Sequence, residues 1–152
     1  MKKLANVVAF SPNVTRLEND LRSQIANVMA QYPDLSAYGF HFSAGGEWDD
    51  LELYKCYRDM MLTSRFADEV LTCIEAIYAP RARWEARAWR LDLGGSYGLK
   101  HAVERWVREG NRDDLASYIS NGAFIVAAVI EGWVPVRSQR SPNCRFAREG
   151  KR

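Results

Sequence analysis

The chain has 152 residues, 47% of them apolar and 26% charged, and a net charge of +2. That length can bury one core without disulfides or metal, and the balance is ordinary for a soluble globular domain. No apolar run approaches the roughly 18 residues that a membrane-spanning helix needs, so no spanning helix and no membrane partner are expected, and the expected localisation is cytoplasmic.

The opening "MKKLANVVAFSPNV" has an apolar stretch only from Leu4 to Phe10, interrupted by Asn6. This is too weak for a signal peptide, whose apolar core runs roughly 7–15 residues. Residues 4–10 read instead as a short strand ended by Ser11-Pro12. A helix follows, with Thr15 and Glu18 as a capping box and Leu17, Leu21, Ile25, Val28 and Tyr32 as its apolar face, closed by Pro33. "AYGFHFSAGG" alternates: Tyr38, Phe40 and Phe42 against Gly39, His41 and Ser43, with Gly45-Gly46 as a turn. This predicts a second strand, free to pair with the first.

Residues 49–79 read as helical. One stripe is Leu51, Tyr54, Tyr57 or Arg58, and Met61; a second, after a cap or bend at Thr63-Ser64, is Phe66, Val70, Ile74 and Ile77. Asp49-Asp50 and Asp113-Asp114 are read as helix caps in preference to metal ligands. "RARWEARAWRLDL" starts in a helical period and ends in an alternating one. Beyond Gly94-Gly95, Ser96 is the expected N-cap of a helix carrying Leu99, Val103 and Trp106 inward, and Gly110 its left-handed stop. "NRDDLASYIS" predicts a turn and a short helical piece with Leu115, Tyr118 and Ile119 inward. Ser120 should cap a last helix from Asn121 to Glu131, ended by Gly132. The remainder forms a hairpin: Val134 and Val136 on one arm, Ser141-Pro142-Asn143 as the turn, Cys144 and Phe146 on the other.

The expected fold is therefore α+β: a helix-dominated single domain over 1–152 with a small antiparallel sheet. Its parts are strand–helix–strand (1–48), helical (49–93), a helical pair (94–136) and a basic tail or hairpin (137–152). The helical pair also permits a helix–turn–helix-like reading, with the hairpin as a wing. In that reading Asn121 is the base-reading residue of its helix. The run 123–130 is apolar all round, however, which suits a core helix, so contacts would come from Ser120-Asn121 and the tail.

"GSYGLKHAVERW", "YISNGAFIVAAVIEGW" and "SPNCRF" together resemble small uncharacterised proteins of phages and other mobile elements, over about residues 95–146. The resemblance implies a phage or mobile-element product acting inside a bacterium. It implies no activity.

Function is read from charge and motifs. Residues 135–152 hold six Lys/Arg and one acid, whereas residues 1–134 hold 15 basic and 18 acidic residues. A basic tail on a mildly acidic body points to a polyanion or an acidic partner. Arg137, Arg140, Arg145 and Arg148 are its candidate contacts. Arg83, Arg87 and Arg90 (beside Arg81) interleave with Trp84 and Trp89, a pattern that can clasp phosphates and stack on bases; a solvated surface with inward tryptophans explains it as well.

Cys56, Cys73 and Cys144 make no CxxC pair and, with only His41 and His101 besides, predict neither disulfide nor zinc. His101 with Glu104, faced by His41, is the best general-base candidate, and "LGGSYGLK" could meet an anion at its helix start. Both read more simply as local structure. No Gly-x-Ser-x-Gly elbow, Walker loop or His-Glu-x-x-His motif is present. The expectation is a non-catalytic binding protein without cofactor that engages nucleic acid or a host nucleoprotein complex. The alternative is a protein-binding inhibitor of a host defence nuclease complex, of anti-CRISPR or anti-restriction type. Homo-oligomerisation stays open.

Overall fold

A computed structural model describes residues 12–42, 50–79, 95–137 and 140–148. In chain order these form α1 (Pro12–Gln31), β1 (Leu35–Ser36), β2 (Gly39–Phe40), α2 (Leu51–Asp59), a 3₁₀ turn (Met60–Leu62), α3 (Ser64–Tyr78), α4 (Ser96–Glu109), α5 (Asn121–Ile130), β3 (Trp133–Arg137) and β4 (Cys144–Arg148). The fold is α+β and helix-dominated, with two separate antiparallel pairs, β1–β2 and β3–β4. The expected strand at 4–10, the turn at Gly45-Gly46, and the segment carrying Arg81, Arg83, Arg87 and Arg90 lie outside the described residues.

The core is built around α5. Its sequence, NGAFIVAAVI, has no polar side chain after Asn121, so no face of it suits water. Every residue from Asn121 to Ala128 is buried, and α1, α3, α4, β2 and β3 all pack on it. Phe124, Ile125 and Val126 are fully buried, each contributing about 1.5–3 kcal/mol of transfer free energy. Ser120 caps the helix, accepting from the Ala123 amide at 3.3 Å, and Gly132, at φ +85°, releases the chain into β3.

The apolar stripes bring three other helices onto it. Leu21, Ile25 and Val28 of α1 are buried, as are Phe66 and Val70 of α3 and Leu99, Val103 and Trp106 of α4. Asp50 and Thr63 cap α2 and α3.

Several sequence expectations are corrected. α1 begins at Pro12, a favoured first helical residue, so Thr15 lies inside the helix and is not its cap. β2 pairs with Leu35–Ser36 across a two-residue loop. Tyr38 is therefore exposed in the loop while Phe40 is buried, and the two do not share a face. Leu51 is also exposed and α2 buries no residue, because that helix lies over β1 at the surface. Ser96 is buried in the first turn of α4; its hydroxyl accepts from the Cys144 amide at 3.1 Å and caps nothing. After α4 it is Asn111, not Gly110, that takes the left-handed conformation, at φ +50°. Residues 112–120 form no helix. Asp114 instead grips Arg112 with both oxygens at 2.9 Å, and Tyr118 points outward.

The β1–β2 loop is the junction of the molecule. Ala37 accepts from the Gly122 amide at 2.9 Å and donates to the Tyr57 carbonyl at 3.1 Å, while Phe40 donates to the Pro142 carbonyl at 2.9 Å. A Cβ on Gly122 would collide with the Ser36 carbonyl, so this approach of backbone to backbone requires glycine.

Candidate nucleic-acid interface

Strand alternation gives the β3–β4 hairpin two sides. Trp133, Pro135 and Arg137 share one with Cys144 and Phe146; Val134 and Val136 share the other with Ala147 and Arg145. The first side faces the core. Trp133 and Phe146 meet at 5.7 Å between ring centres, and Phe124 of α5 meets Phe146 at 5.7 Å. Val134 and Val136 are therefore exposed, where a strand packed by its valines would have buried them.

This division separates the tail arginines. Arg137, though exposed, is ion-paired with Asp34, donates to the His41 carbonyl at 3.1 Å and lies 4.3 Å from the Phe40 ring centre. Its guanidinium is already engaged within the chain. Arg145 is exposed, directly opposite Val136, and Arg140 is exposed in the connecting turn. Neither makes an ion pair among the described residues. Arg148 ends β4 opposite Trp133. Asn121 is only 7% exposed. Its side-chain amide donates toward the Tyr38 carbonyl (3.1 Å), the Pro142 carbonyl (3.3 Å) and Asn143 Oδ1 (2.9 Å), and its own oxygen is buried without a partner among the described residues. It cannot reach a base edge. With α5 buried and a non-helical segment between it and α4, the helix–turn–helix reading falls too.

A second surface runs along α2, α3 and α4. Tyr38 and Tyr57 stack at 5.4 Å and border a hollow with His41 and Tyr54. The same pair, with Met60, Arg65 and Tyr118, borders the next hollow, and Arg65 and Tyr118 border a polar cleft of about 820 Å³. Lys100 lies under the rings of Tyr97 (5.4 Å) and Tyr118 (4.9 Å). Tyr38, Met60, Tyr97 and Tyr118 are all exposed.

The acids of this cleft hold the chain in place. The amides of Ala116, Ile119 and Ser120 donate to Thr72 Oγ1 (3.0 Å), Glu104 Oε1 (3.0 Å) and Glu69 Oε1 (2.7 Å). Burial raises the Glu69 carboxyl above the usual range despite the Ser120 amide. At Glu104 burial also pushes upward, but the Ile119 amide, His101 and Lys100 together outweigh it and hold the carboxyl low. His101, 2.8 Å from Glu104 and edge-on to Tyr97, is positioned by both. His41 packs on Tyr54 at 4.8 Å. Cys144 is buried and its thiol pushed up to about 12 by that burial, and Cys73 is likewise driven upward, so neither is a ready nucleophile.

Among the described residues no group of three or more His, Cys, Asp or Glu is arranged to hold a metal, and no helix is long and apolar enough to cross a membrane. No protein-family model, curated protein or solved structure matches the chain.

Sequence reasoning missed the outward valines and the tyrosine surface. Helical spacing could have found part of the latter: Tyr97 and His101 are four apart, off the Leu99–Val103–Trp106 stripe. For the hairpin, alternation defined two sides but not which was buried; the larger rings of Trp133 and Phe146 decide it.

Proposed function

We propose that this chain is a non-catalytic binding protein of the phage or mobile-element kind that engages nucleic acid through the β3–β4 hairpin. One observation carries the reading. From Trp133 to Arg148 the hairpin contains four arginines and no Asp or Glu, and its solvent side presents Arg145, with Arg140 in the turn. Such a surface attracts phosphate, since the acid that meets the hairpin, Asp34, is paired with Arg137 on its other side. The acidic balance of residues 1–134 then orients the protein, hairpin first.

The test is fluorescence anisotropy with labelled DNA and RNA at about 50 and 200 mM salt. Two phosphate contacts predict roughly a tenfold loss of affinity across that range. The double charge reversal Arg140→Glu/Arg145→Glu should lose most of the binding and its salt dependence. If the unaltered protein binds no nucleic acid at either salt, this reading is wrong.

A second reading, a protein-binding inhibitor of a host defence nuclease complex, is favoured by the tyrosine surface. Exposed Tyr38, Met60, Tyr97 and Tyr118 beside Arg65 are residue types enriched where proteins meet. Capture of such a complex by the tagged protein from a bacterial host would support it.

A further inference from the structure

We propose that the β3–β4 hairpin is a two-stranded ribbon that reads B-form duplex DNA from the major groove, its Val134–Val136–Arg145 side against the base edges. This rests on the nucleic-acid reading above and adds the form of nucleic acid and the groove.

The first argument is which element is free to enter a groove. α5 is enclosed on all sides, so it presents no face for base contact in the way a recognition helix does. The ribbon does. Its inner side is fixed to the core through Trp133, Phe146 and Cys144, and its turn is held by the Pro142 carbonyl, which accepts from Phe40. Its outer side is left facing water.

The second argument is size. Five-residue strands span roughly 17 Å, and paired strands lie about 4.8 Å apart. With side chains, the ribbon matches the B-DNA major groove, about 12 Å wide, which admits a two-stranded ribbon.

The third argument is chemistry. Arg145 is the side-chain type that pairs with guanine O6 and N7, and it sits opposite Val136. Val134 and Val136 offer methyl groups of the kind that contact thymine C5-methyls. Arg140, in the turn, is placed for a phosphate at the groove wall.

The alternatives fit less well. A-form duplex RNA has a major groove too deep and narrow for side chains to read. Single strands are gripped by exposed rings, and the ribbon's rings, Trp133 and Phe146, face the core. Among the described residues of the two strands, the outer side carries Val134, Val136, Arg145 and Ala147.

The experiment uses the full chain. Affinities are measured for pooled random DNA duplexes, the same pool as duplex RNA, and single-stranded DNA, at one salt concentration. DNA duplex should bind about tenfold or more tightly than either other form. The pool is then remade with 7-deazaguanine, which removes the N7 acceptor from the major groove only. That change should weaken binding by the unaltered protein and leave Arg145→Ala unaffected, while Arg140→Ala should bind uniformly more weakly and still respond to it. Both arginines are exposed, so unchanged melting temperatures are expected and confirm the fold. Equal affinity for the three forms, or indifference to loss of N7, overturns the groove assignment while leaving hairpin-mediated nucleic-acid binding intact. Failure to bind any of the three removes the proposed function and this inference together.

Discussion

Glu69 and Glu104 do the same structural work from adjacent helices with opposite electrostatic results. Each accepts a backbone amide of the 116–120 segment, but Glu104 also gathers Lys100 and His101, whereas Glu69 is buried at 5% exposure with its ionised form disfavoured. Replacing Glu104 by Gln removes a charge-assisted acceptor and leaves Lys100, 6% exposed, beside a neutral amide. The expected cost at neutral pH is about 1.5–3 kcal/mol. Glu69→Gln keeps an oxygen for Ser120 and has no charge to desolvate, so it should be close to neutral or slightly stabilising. The pH dependences have opposite signs. Glu104 has a lowered native value, so its contribution is present above the ordinary carboxylate range and is lost as the pH falls through that lowered value. Glu69 has a raised native value, so acidification through the raised value and down to the ordinary one favours the native state. Urea unfolding from pH 7 downward should show the Glu104→Gln deficit shrinking below about pH 4. Above that point, as the pH falls toward about 4, Glu69→Gln should lose ground against the unaltered protein. Asn121 makes a complementary point about sequence reading. Its residue type suits base recognition, but its position facing Tyr38, Pro142 and Asn143 is fixed by partners 83, 21 and 22 residues away, which no local pattern announces.

At the scale of elements, what could be read from sequence was what has a period. α1, α3, α4 and α5 were legible because a helix buried along one stripe, or on every side, repeats its apolar residues accordingly. β1 and β2 are two residues each, too short for alternation to show, so their pairing is set by the Gly39 turn, at φ +123°, and by the neighbours that clamp it. α2 is a helix as its period predicts, but its stripe is not buried: Leu51 is exposed and Tyr54 and Tyr57 are half-buried, and polar ties that carry no period attach it. Arg58 donates to the carbonyls of Met29 (2.8 Å) and Leu35 (2.7 Å), and the Tyr54 hydroxyl to that of Pro33 (2.6 Å). α1 has no basic residue in its own last turn, so Arg58 supplies from another helix the cation that its C-terminal end favours. Arg58→Lys keeps the charge but loses the planar fork that reaches two carbonyls at once. The expected loss is about 1–2 kcal/mol. Hydrogen exchange should rise along α2 and the end of α1 while α5 keeps its protection, since the opening is local. Uniform acceleration across α5 would show instead that Arg58 supports the global fold.

At the scale of the whole molecule, the ribbon and the tyrosine surface meet at one junction. Tyr38 belongs to the β1–β2 loop, Pro142 to the ribbon turn, and Asn121 and Gly122 tie both to the head of α5. Substitution at this junction should disturb both surfaces. Gly122→Ala forces a methyl into the Ser36 carbonyl and Ala37 backbone, an overpacking expected to cost about 1–3 kcal/mol. Because the junction sets where the ribbon turn sits, the variant should also bind nucleic acid less tightly. The tyrosines allow the separate case. Tyr97 and Tyr118 are 52% and 54% exposed and touch the core little. Replacing both by Ala removes the rings over Lys100 but leaves its Glu104 partner, so melting should shift only slightly. If the ribbon binds nucleic acid and the tyrosine surface binds protein, this double variant keeps full affinity for DNA and loses capture of a host protein. Anisotropy and pull-down on the same preparation measure the two sides. Loss of DNA affinity in the double variant would mean that the tyrosines, and not the ribbon alone, contact the nucleic acid, and the division of labour between the two faces would have to be abandoned.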